Sequence, residues 1–163
     1  GGVQTTRRAT HARRTLFEDF MASNNSSSAP MSHHTALIYT MVMVSAADSE
    51  MTDAEIMAIG EEVQRLPIFR DYDIALLPQA AAACAEFLNS EDGLDKLLAD
   101  VKTGLPKKLY ETAYALACDV AVADGKLSQE ELRLLQLLRN VLELDRLHSA
   151  AIERGARARH AQL

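Results

Sequence analysis

Four acidic residues carry the most suggestive spacing in the sequence. Asp48 and Glu55 lie in the segment AADSEMTDAEI (46–56), and Asp124 and Glu131 occupy the matching places in VADGKLSQEEL (122–132), 76 residues later. Carboxylate oxygens are hard ligands and select magnesium, calcium or manganese over zinc. One such turn supplies two or three carboxylate oxygens, too few for a full coordination sphere. Two turns facing each other about a local pseudo-twofold would gather more. Asp48, Glu55, Asp124 and Glu131 are therefore the candidate metal ligands, and Mg2+ or Ca2+ the candidate cation.

A plainer reading accounts for part of the pattern. Thr52-x-x-Glu55 and Ser128-x-x-Glu131 are capping boxes. In such a box the hydroxyl accepts from a free helix N–H and the Glu side chain returns to the cap residue's own N–H. The aspartates are less easily explained this way. Asp48 and Asp124 end apolar stretches, and a carboxylate at a helix C-terminus meets unfavourable dipole potential. A turn N–H, a basic side chain or a bound cation must offset it. The second turn also copies the latter half of a calcium-binding EF-hand loop. Val120 and Val122 fall where that loop needs its first two oxygen ligands, so it is no working EF-hand.

Signatures of catalysis are missing. There is no G-x-S-x-G, Walker loop, G-x-G-x-x-G or H-E-x-x-H in the sequence. The Glu-x-x-His pairs of carboxylate di-iron bundles are absent too. His33, His34 and His148 read as surface residues. Cys84 and Cys118 sit in Ala-rich stretches outside any C-x-x-C and read as buried, inert thiols. Asp119, in the place matching Met43, lies either on an exposed edge of its helix or in a polar pocket, and the edge is the favoured expectation. The chain is accordingly expected not to be an enzyme.

The elements that must position these residues are helices. Residues 35–47 are apolar nearly all round, the mark of a central buried helix. Ile56, Ile59, Val63 and Leu66 recur at intervals of three and four, and Pro67 ends their helix. A third helix covers 73–89, with Pro78 kinking it or starting its main part. A fourth spans 91–102, with Gly104 as a C-terminal cap. The fifth (107–123) is again mostly apolar. The sixth (128–144) carries a broad Leu stripe, and the seventh (145–161) turns basic towards its end. Strand signals are lacking. The fold class is all-α: a bundle of about seven helices with an internal helix-turn-helix duplication.

Composition agrees with that class and narrows the partners. The 163 residues are 48% hydrophobic and only 5% aromatic, and the net charge is −6. Residues 1–30 hold four arginines against two acids, so the remainder is more acidic than the net figure. An acidic body argues against a nucleic-acid groove and suits cations or basic partners. No apolar run is long enough to span a membrane, though peripheral association stays open. The Arg-containing, Ser/Asn-rich segment 1–30 reads as a disordered tail or appended extension, with Met31 or Met21 as natural starts. Residues 31–163 form the folded domain.

The fingerprint A-D-G, an apolar residue, Ser or Thr, then Glu three places on, resembles the TerB tellurite-resistance family. VADGKLSQEEL carries it fully, and AADSEMTDAEI departs only in Ser49 for Gly. The likeness spans roughly 33–150. It implies a compact helical bundle of the bacterial cytoplasm or membrane periphery, associated with resistance to tellurite and other stresses. It implies calcium-binding TerD-type and membrane TerC-type partners, and paired acids thought to bind metal. Similar domains precede the J-domain of some co-chaperones. Two function classes follow. One is a non-catalytic, divalent-cation-binding stress protein or adaptor. The other is a pure protein–protein interaction module with no metal role.

Overall fold

The first helix, α1 (His33–Ser45), begins where the Ser32 hydroxyl accepts the Thr35 N–H at 3.1 Å. It buries Leu37, Ile38, Met41, Val42 and Val44 completely, which is why its sequence shows no polar face. Each such side chain withdrawn from water contributes about 1.5–3 kcal/mol. This is a computed structural model, and it describes residues 30–48 and 51–163. The segment expected as a tail or extension lies outside the described residues except for Pro30. Ser49 and Glu50 of the first turn lie outside them as well.

Six more α-helices follow among the described residues, with three short 3-10 turns and no strand. α2 runs Asp53–Arg65 and stops before Pro67. α3 is Leu77–Leu88; Pro78 lies in its first turn, where a missing N–H costs nothing, so it starts the helix and does not kink it. The expected residues 73–76 are a separate 3-10 turn capped by Asp73. α4 spans Gly93–Gly104. Gly104 closes the helix itself and is no left-handed cap. It is needed because a Cβ there would come within 2.6 Å of the Met31 carbonyl oxygen. α5 is Tyr110–Ala121, α6 Gln129–Val141 and α7 Arg146–Arg159.

The repeat seen in the sequence is a repeat of structure. α2 and α6 have equal length and begin 76 residues apart. The two apolar helices, α1 and α5, pack on each other at the centre. α3 lies on α1 as α7 lies on α5, and α2 and α6 each touch both central helices. α4 links the halves and packs on α1, α3 and α6. Met31–Leu163 thus forms one compact unit around one core. Cys84 and Cys118 are free and buried, and burial pushes each thiol up to about 12, so both stay protonated. No described helix is long and apolar enough to cross a membrane.

Candidate carboxylate site

Both capping boxes are formed in full. The Thr52 N–H donates to Glu55 Oε2 at 2.7 Å, and the Glu55 N–H donates to the Thr52 hydroxyl at 3.3 Å. The Ser128 N–H donates to Glu131 Oε2 at 2.7 Å, and the Glu131 N–H donates to the Ser128 hydroxyl at 3.1 Å. The boxes fix each glutamate's rotamer and turn its carboxyl inwards. In each, Oε2 takes the cap bonds and Oε1 takes none of them.

These two inward carboxyls meet. Glu55 and Glu131 are each only 3% exposed, and their side chains interact across the two halves. Burial raises the Glu131 carboxyl above its ordinary range, the Ser128 bonds oppose that rise, and Glu55 adds to it. The physics is plain: two facing carboxylates withdrawn from water repel, so the pair favours holding a positive charge between them. A proton is one such charge. A hard divalent cation is another, with water completing its sphere.

The aspartates behave differently. Asp124 is half-buried, and its Oδ1 accepts the Lys126 N–H at 2.8 Å, one of the turn N–H groups a C-terminal carboxylate needs. Gly125 supplies the left-handed turn at φ +76°. Asp48 is half-buried at the end of the matching first turn. Among the described residues, no three His, Cys, Asp or Glu side chains are grouped closely enough to hold a metal ion. Of the four candidate ligands, then, the structure brings Glu55 and Glu131 together as a preformed pair.

Two expectations need correction. Asp119 is buried, 7% exposed, and not on an edge. Arg159, at the end of α7, donates from Nη2 to its Oδ1 at 2.6 Å, and His160 Nε2 lies 3.5 Å away. The match of Asp119 to the buried Met43, with the arginines closing the last helix, was the signal for this. His34 is not a surface residue either. Its ring packs between Phe69 and Tyr72, and Nε2 donates to the Ile68 carbonyl at 2.7 Å. His148 is exposed, as expected, and pairs with Glu111.

A family model described as tellurite resistance protein TerB matches residues 34–154. No match was found among curated proteins or solved structures.

Proposed function

This chain belongs to the tellurite resistance protein TerB family, and within it we propose a non-catalytic module that binds a divalent cation, Mg2+ or Ca2+, at its paired turns. The observation that carries this reading is the buried meeting of Glu55 with Glu131, one from each half. On this reading Asp48 and Asp124, in the same two turns, would reach the cation from further out, through water. A cation there neutralises the repelling pair and clamps the halves together, so binding stabilises the fold by RT ln(1 + [L]/Kd). The setting is a cytoplasmic stress response, including that to tellurite, in concert with other proteins of TerC or TerD type. No enzyme activity belongs to this reading.

Calorimetric titration of MgCl2 and CaCl2 into the full chain tests it. Saturable heat is expected from the wild type, reduced by Glu131→Gln and by Asp48→Asn combined with Asp124→Asn. Absence of heat with either metal ends the cation reading.

One observation favours a second reading, a protein-interaction module with no metal role. Met51, Ile56 and Met57 stand exposed around the start of α2, Met57 at 64%. Apolar residues so placed fit a partner's apolar face. That reading expects the Asp48→Asn, Asp124→Asn double variant to capture partners unchanged and to lack any metal response, as does its parent.

A further inference from the structure

Between α5, α6 and α7 lies a cavity of about 290 Å³. Val122, Leu127, Leu132 and Leu135 form its apolar wall, and none of its lining residues is one of the four turn acids. Its polar side is built from three charges. The Tyr114 hydroxyl donates to Glu153 Oε1 at 2.6 Å, and Arg139 Nη1 lies 3.5 Å from the same oxygen. Arg157 lines the cavity too and makes no hydrogen bond or ion pair among the described residues.

The internal repeat supplies a control. Subtracting the repeat offset, Tyr114, Cys118 and Arg139 correspond to Ile38, Val42 and Val63, all buried aliphatic core residues. The fold is therefore satisfied by plain hydrocarbon at these places. The second half keeps a phenol, a thiol and a guanidinium around a partly open pocket that α7 borders. Burial holds the Tyr114 phenol neutral and the Cys118 thiol protonated, so neither adds charge.

Two guanidiniums against one carboxylate leave a single positive charge beside an apolar chamber. We infer that this cavity binds an aliphatic monocarboxylate, its chain against the leucine wall and its head on Arg157 and Arg139. Planar, bidentate recognition suits guanidinium to carboxylate. At about 30 Å³ per small group, the void holds about ten non-hydrogen atoms, the size of octanoate. The volume stands at the small end of ligand pockets, about 300–1,000 Å³.

Titration of sodium octanoate into the full chain, by calorimetry and by methyl NMR of Leu135 and Ala156, tests this. The wild type is expected to bind one octanoate with shifts at both methyl sites. Acetate, which lacks the chain, gives no saturable binding. Arg157→Gln, a change at an exposed position, weakens octanoate about tenfold, the usual scale for one charge-assisted contact. Arg154→Gln, one turn earlier on α7 and outside the cavity, leaves it unchanged. No saturable octanoate binding, equal weakening by both arginine variants, or tighter binding of octyl phosphate than of octanoate would each overturn the assignment.

Discussion

A carboxyl buried against another carboxyl makes folding depend on protons in a direction opposite to the usual surface acid. The folded Glu131 carboxyl is raised above its ordinary 4.5, first by burial and then by Glu55. Its stabilising contribution is fully present below 4.5 and is lost as pH rises through the folded value. Gln at this position keeps an acceptor for the Ser128 N–H and does not titrate. The stability of Glu131→Gln relative to the parent therefore rises with pH. Urea unfolding at steps between about pH 4 and pH 8 measures it; a difference that stays flat with pH refutes a charged pair at the site. Asp119, also buried but in an apolar helix, meets a basic side chain and not a second acid: Arg159 lies at 2.6 Å.

At the scale of elements, the duplicated hairpin rests on its caps. Thr52 and Ser128 each satisfy an N–H that helix geometry leaves without a partner. Replacing either by Ala should cost about 0.5–2 kcal/mol, read from the denaturation midpoint. Such a loss also frees the glutamate from its fixed rotamer. Gly125 at φ +76° sets the turn before α6. Gly125→Ala should cost about 1–2 kcal/mol, because a Cβ meets the following carbonyl in the left-handed region. Little cost at Gly125 would mean that the turn relaxes and that its left-handed residue does not fix the second hairpin.

For the whole molecule the decisive contact is α1 on α5. Each is the central helix of its own half, and each buries its apolar surface on the other. Neither half has a core to itself, so Met31–Leu163 is expected to unfold in one cooperative transition. Urea curves followed by far-ultraviolet circular dichroism and by the near-ultraviolet signal of the four tyrosines, the buried Tyr114 among them, should superimpose. Separated curves would show two halves that fold independently. Because the two glutamates come from different halves of one core, the proposed cation reading expects any ligand held between them to stabilise the entire domain.

Helix number, the places of α2 and α6, both capping boxes and the repeat were legible in the residues alone, because each is a local matter. Periodicity, a hydroxyl before a helix and a glutamate three places on are read within a turn or two of chain. The same locality misled at Asp119 and His34. One is matched by a residue 40 positions away and the other is enclosed by rings from a turn more than 30 positions on. Spacing also suggested that four acids converge; the meeting of Glu55 with Glu131 is a matter of packing that spacing alone does not fix. Glu55 and Glu131 point inwards because their boxes aim them at the shared centre, whereas Asp124 turns back to its own Lys126 N–H. The pocket bordered by α5, α6 and α7 left no trace in any single segment, since it is a property of how distant helices fail to fill the space between them.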